Sequence, residues 1–163
     1  MSRSRKLLLV GGLLLAIWGM SYGLWYAVFA EHQALDNIGS SLSTSFAKAA
    51  ERNPAASQAA LQAYSAAQYV YLRQVDAHSH WIGLAMLLIV LGIAFDRIPY
   101  GESRRFWLAL ALLLGSFIFP LGVLLENPGH AAMGRALAIA GSGLIVFSLA
   151  VIAAGFVWAR ADD

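Results

Sequence analysis

Cysteine is absent from the chain. Disulfides, thiolate-held metals, iron–sulfur clusters and covalently attached c-type haem are therefore excluded. Charge is almost as scarce, with Asp, Glu, Lys and Arg at 12% of residues against about a quarter in soluble domains. The sequence has no basic patch interleaved with aromatics, so a nucleic-acid partner is not expected. It also lacks a glycine-rich phosphate loop and any Ser/His/Asp spacing of a hydrolase. No internal repeat or low-complexity segment is evident.

What the chain has instead is apolar length. Hydrophobic residues make up 60% of it, and the mean hydropathy is +0.65. The excess sits in runs long enough to cross a ~30 Å hydrocarbon layer, which takes about 20 helical residues. Four runs qualify, at about 7–29, 77–95, 106–125 and 133–158. The first and third are uncharged, the second holds only His78 and His80, and the fourth has Arg135 near its mouth. A membrane barrel would show alternation rather than uninterrupted apolar residues. The expected fold is an all-α integral membrane protein, a single membrane domain of four transmembrane helices in an up-down-up-down bundle. Val28-Phe29-Ala30 resembles a cleavage site. The apolar run before it is longer than a signal core, so the first run is expected to remain as an anchor.

Basic residues set the orientation. Arg3, Arg5 and Lys6 precede the first run, Arg97, Arg104 and Arg105 lie between the second and third, and Arg160 follows the fourth. The positive-inside bias makes that side cytoplasmic. Expected is a multi-pass protein of the inner membrane with both termini inside. The opposite edge then faces outward, which in a bacterium is the periplasm.

Residues 30–76 are too polar to be buried in lipid. Leu35, Ile38, Leu42, Ser45 and Ala49 keep a helical 3-4 spacing, and Leu61, Tyr64, Gln68, Tyr71 and Val75 do so again. Arg52-Asn53-Pro54 interrupts them, because a residue before proline avoids the α region while proline itself opens helices well. An extracytoplasmic helical hairpin follows, extending outward between helices 1 and 2 with arms of roughly 34 Å at 1.5 Å per residue. Its seam is thin, which points to a partner: a homo-oligomer or a larger membrane complex. Asp96–Arg105 and Glu126-Asn127-Pro128-Gly129 are short connections of turn composition.

The chemistry-bearing residues converge on one depth. Threading the four runs in order puts His32, His78, His80 and His130 at the outer edge, with Glu31, Asp76 and Glu126. Imidazole suits copper, iron and zinc, and imidazole with carboxylate suits zinc or non-haem iron. Two histidines on adjacent helices can also hold haem b, with Arg73 or Arg135 paired to its propionates. The expected metal ligands are the four histidines with Glu31, Asp76 and Glu126; the expected haem contacts are the histidines with Arg73 and Arg135. Electron transfer or metal handling would follow. The other reading is a non-catalytic accessory or assembly subunit that docks through the hairpin.

Small residues indicate the packing faces, since they let helices approach closely in lipid. Gly12, Ala16, Gly19, Gly23 and Ala27 form one stripe; Gly115 with Gly122, and Gly134 with Ala138 and Gly141, form two more. Gly83 beside His80 would turn His80 inward, whereas the hairpin seam continued into the second span would turn His78 inward. The two rules choose different histidines.

Overall fold

The computed structural model describes residues 1–126 and 129–159. Those residues form helices and turns without a strand: α1 Arg3–Phe29, α2 Glu31–Ala50, α3 Pro54–Ala94, a short 3-10 turn Phe95–Arg97, α4 Glu102–Leu125 and α5 Ala131–Ala159. Four helical stretches are long and apolar enough to cross a membrane: Arg3–Phe29, Pro54–Arg97, Glu102–Leu125 and Ala131–Trp158. Asn127, Pro128 and Arg160, placed above in an outer turn and a cytoplasmic tail, lie outside the described residues.

The chain divides into two compact units. One is built from residues 1–20 and the chain from Asp76 onward, the other from Ser21–Val75.

In the first unit, glycine sets the distance between helices. A methyl group on Gly122 would lie 2.3 Å from the Ala138 nitrogen, and one on Gly141 would lie 2.5 Å from the Phe119 nitrogen. Gly115 and Gly134 meet the facing backbone as closely, at the Gly141 carbonyl and the Glu126 nitrogen. Rising numbers on α4 meet falling numbers on α5, so the two run antiparallel with their backbones in contact. The α1–α3 contact follows the same rule: Gly12 faces Ile89 and the Ala85 carbonyl, and Gly19 faces Trp81 and Ile82. Gly83, expected to mark a packing face, has nothing within 4 Å. Trp81 is fully buried. Its Nε1–H donates to the Phe117 carbonyl at 3.2 Å, and its ring lies 5.9 Å from Trp18 and 6.3 Å from Phe117. This aromatic knot joins α1, α3 and α4. It sits one turn before Pro120, which has no N–H to close the α4 ladder.

The connection before α4 is tied by charge. Glu102 accepts the Ser4 amide at 2.9 Å and the Ser4 hydroxyl at 3.2 Å, so a carboxylate from α4 caps the first turn of α1. Arg105 reaches Glu102 at 3.1 Å and Asp96 at 3.7 Å, and Arg5 reaches Asp96 at 3.5 Å. Ser2 also donates to Asp96.

The second unit is closed by small residues at heptad spacing. Ala34, Ile38, Ser41, Ser45 and Lys48 of α2 are buried or half-buried, as are Ser57, Ala60, Tyr64, Ala67, Tyr71 and Gln74 of α3. That 3-4 alternation is the period of two helices wound on each other. Ser45 and Ser57 exchange hydroxyl-to-carbonyl hydrogen bonds at 3.2 and 3.0 Å. At the other end the Tyr71 hydroxyl donates to Glu31 at 3.2 Å. On α3 the seam keeps Tyr64, Tyr71 and Val75 as expected, but Ala60 and Ala67 turn inward where Leu61 and Gln68 were expected, and both of these are exposed. The turn between the helices has a definite design. Arg52 takes a left-handed φ of 57°, while the Asn53 and Arg52 amides close on the Lys48 and Ala49 carbonyls at 2.9 and 3.0 Å. The Asn53 side chain then caps α3 at the Ala56 amide, 3.1 Å away.

Two outcomes are expected. Gly122→Ala should destabilise the detergent-purified protein by about 1–3 kcal/mol, because its methyl meets backbone rather than a flexible side chain. Gly83→Ala, in open space within a helix, should be neutral or stabilising by about 0.5–1 kcal/mol. Thermal unfolding of the two variants side by side checks the pair.

The second outcome concerns acid. Asp96 and Glu102 lie in the 96–105 connection, outside the apolar runs 77–95 and 106–125. Hydrogen bonding from Ser2, with Arg5 and Arg105 nearby, holds the Asp96 carboxyl below its ordinary value against the effect of burial. The Ser4 amide does the same for Glu102. A carboxyl lowered by folding stabilises the fold above the ordinary carboxylate range and loses that contribution as pH falls through the folded value. The melting temperature should therefore drop as pH is lowered below about 4, and Glu102→Gln should flatten that drop.

Candidate functional site

The candidate ligands divide between the two units. Asp76, His78, His80, Glu126, His130 and Arg135 belong to the first, and Glu31, His32 and Arg73 to the second.

His78 is half-buried. Its Nδ1 lies 2.9 Å from the carbonyl oxygen of Gly19. A carbonyl only accepts, so the ring donates its Nδ1–H and Nε2 keeps a lone pair in the neutral form. Gly19 makes the contact available: its absent side chain lets α1 close on Trp81 and Ile82, one turn from His78. His80 is exposed and turned about 200° from His78. Its Nδ1 lies 2.6 Å from the Asp76 carbonyl one turn back, and its ring stands edge-on to Phe119 with centroids 4.9 Å apart. Both imidazoles thus have the tautomer that metal-bound histidines adopt, with Nδ1–H on a backbone carbonyl and Nε2 free of it.

The two packing rules are now resolved. His78 is half-buried and reaches the Gly19 carbonyl of α1, as the seam implies, whereas His80 is exposed and meets only Phe119 of α4 edge-on. The glycine that argued for His80, Gly83, is on an open face.

The remaining residues have more ordinary surroundings. His130 is exposed, and its carbonyl accepts the Gly134 amide at the start of α5. Glu126 ends α4 and lies 3.5 Å from Arg135, which is mostly exposed. In the second unit His32 is exposed and 3.3 Å from Asp36 on the same helix. Glu31 accepts the Tyr71 hydroxyl; burial first, and that bond second, push the Tyr71 phenol above its ordinary value. Arg73 lies 4.8 Å over the Tyr69 ring and donates to its hydroxyl at 2.9 Å. Among the described residues no three histidine, aspartate or glutamate side chains group closely enough to share a metal ion.

Within each unit, which way each of these side chains faces is decided by its helix. What the sequence reading missed is the Gly19 carbonyl as the partner of His78. The small-residue stripe of α1 had marked Gly19, but as a packing position only. The Ser4–Glu102 and Asp96–Arg105 contacts were missed as well. Their signal is the i, i+3 pair of Glu102 and Arg105 opposite the serine-rich start of α1.

No family model, no curated protein and no solved structure matches the chain.

Proposed function

We propose that the chain is a four-span inner-membrane protein that serves as a non-catalytic accessory or assembly subunit, docking its partner through an extracytoplasmic helical hairpin formed by residues 30–76. The distribution of Arg3, Arg5, Lys6, Arg97, Arg104 and Arg105 supports an up-down-up-down order with both termini cytoplasmic. One observation carries the docking role. The seam between α2 and α3 is filled mainly by Ala, Ser and Tyr with Ile38, and several of the larger apolar side chains of this otherwise polar segment are left outside it. Phe46 is 69% exposed, Leu35 47% and Leu61 40%, with Tyr69, Val70 and Leu72 in the same state. Apolar side chains gathered on a water-facing segment mark a surface that another protein covers. The occupant is a second copy of the chain or another subunit of a membrane complex.

The test is a photo-crosslinking residue placed at Phe46 or Leu61 in the full-length protein in its native membrane. A discrete adduct is expected, and for the probe at Phe46 it is lost on replacing Leu35 and Leu61 together with glutamine. An adduct of twice the chain mass identifies a homo-oligomer, and any other discrete mass a heteromeric complex. No adduct at either position contradicts the proposal.

A second reading has its own support in the His78 and His80 tautomers. Under it the outer edge of the first unit binds haem b or a transition metal (copper, iron or zinc) through Nε2 of His78 or His80, with His130 and the Glu126–Arg135 pair at hand. The purified protein would then show a reducible haem spectrum or stoichiometric metal, lost in His78→Ala or His80→Ala. A colourless, metal-free protein after loading rules this reading out and leaves the docking role untouched.

A further inference from the structure

At the end of the first unit where residues 96–105 lie, a groove of about 710 Å³ opens between α4 and α5. Tyr100, Arg104, Trp107, Ala111, Phe147 and Trp158 line it. Its wall is built rather than incidental. Gly155 leaves no side chain where the Tyr100 ring lies, 3.0 Å from the position a Cβ would take. The Tyr100 hydroxyl donates to the Val151 carbonyl at 3.1 Å, fixing the connection against α5. The volume falls in the roughly 300–1,000 Å³ range of small-molecule sites.

Two features decide what fits. Trp107, Phe147 and Trp158 are each more than 60% exposed, so the groove presents large apolar surface at the end of two spans, where indole rings sit at headgroup depth. Among the described residues that line it, the one cation is Arg104. The neighbouring Arg105 is held by Asp96 and Glu102, and Arg5 by Asp96. Arg104 makes no ion pair among the described residues and is exposed. An apolar trough with a guanidinium at its lip that has no ion-pair partner among the described residues matches an amphiphile with one anionic head and a hydrocarbon tail.

We infer that this groove binds an anionic phospholipid, with the phosphate on Arg104 and an acyl chain along Trp107, Ala111 and Phe147. The inference rests on the membrane-spanning reading and is independent of the hairpin. A guanidinium forms paired hydrogen bonds to phosphate oxygens, and the aromatic side chains cover the glycerol and upper chain. A neutral lipid would leave the arginine without an anion; a free phosphate would leave the apolar wall without its tail.

The experiment uses the full chain reconstituted in phosphatidylcholine vesicles with trace spin-labelled phosphatidylglycerol or spin-labelled phosphatidylcholine. The motionally restricted fraction of each label is read by electron paramagnetic resonance. The expected result is an approximately fivefold preference for phosphatidylglycerol, the selectivity one interfacial arginine supplies. Arg104→Gln should bring it close to one and Arg104→Lys should retain most of it. Ala111→Phe should reduce the restricted fraction of both lipids by filling the groove. Arg97→Gln, a cation outside the groove, should leave the preference unchanged. A preference that survives Arg104→Gln, or that falls equally with Arg97→Gln, overturns the inference in favour of a diffuse surface effect. Inorganic phosphate that abolishes the preference at millimolar concentration assigns the site to free phosphate and overturns the lipid. A chain that fails to enter the vesicles at all, judged by flotation, refutes the membrane-spanning reading instead.

Discussion

In lipid, an apolar side chain gains little by leaving its solvent for another apolar side chain, so helices hold together through close packing and polar contacts. The glycines of this chain meet that constraint. Gly115, Gly122, Gly134 and Gly141 bring the backbones of α4 and α5 into contact, and Gly12 and Gly19 seat α1 on α3. Much of the rest follows. The close approach at Gly19 is what lets His78 reach a carbonyl on another helix, and it sets Trp81 where its indole can bridge to α4. The groove beside Tyr100 exists because Gly155 gives way to the ring. Remove these small residues and the local chemistry loses its geometry.

The two compact units solve packing in different ways. The first uses glycine and one buried tryptophan. The second uses alanine and serine at a 3-4 alternation, with hydrogen bonds between Ser45 and Ser57 in place of large apolar contacts. Such a seam buries little apolar area per residue, and burial is the main source of stability outside lipid. It also leaves Phe46, Leu35 and Leu61 unused. A segment that spends its small residues on itself and keeps several large apolar ones outside is the basis of the docking role proposed above. His78 and His80, by contrast, each hold Nδ1 against a backbone carbonyl.

The helices were legible because uncharged runs of this length admit no other spanning structure, and Asn53-Pro54 was legible as a break because proline excludes the alternatives. Most glycines named as packing positions are at helix contacts. Gly83 is not, since nothing in a sequence distinguishes a glycine that faces a helix from one that faces open space. Two positions of the α3 seam moved for a related reason, while Tyr64 and Tyr71 are where they were expected. Ala-rich sequence gives little contrast between faces, so Leu61 and Gln68 looked as central as Ala60 and Ala67. For the candidate site, the sequence supports an expectation of depth but none of direction. Threading places a residue along the membrane normal; the rotation of each helix, which decides whether His78 or His80 turns inward, depends on contacts far apart in sequence.

The absence of cysteine makes the most direct test simple, since single cysteines can be introduced without background. Ser43→Cys lies in α2 and Ser103→Cys at the start of α4, both exposed. With an impermeant maleimide on intact cells, the account predicts labelling of Ser43→Cys alone, and labelling of Ser103→Cys only after the membrane is opened. Labelling of both from the same side, or of Ser103→Cys first, would contradict an extracytoplasmic hairpin and with it the docking role assigned to residues 30–76.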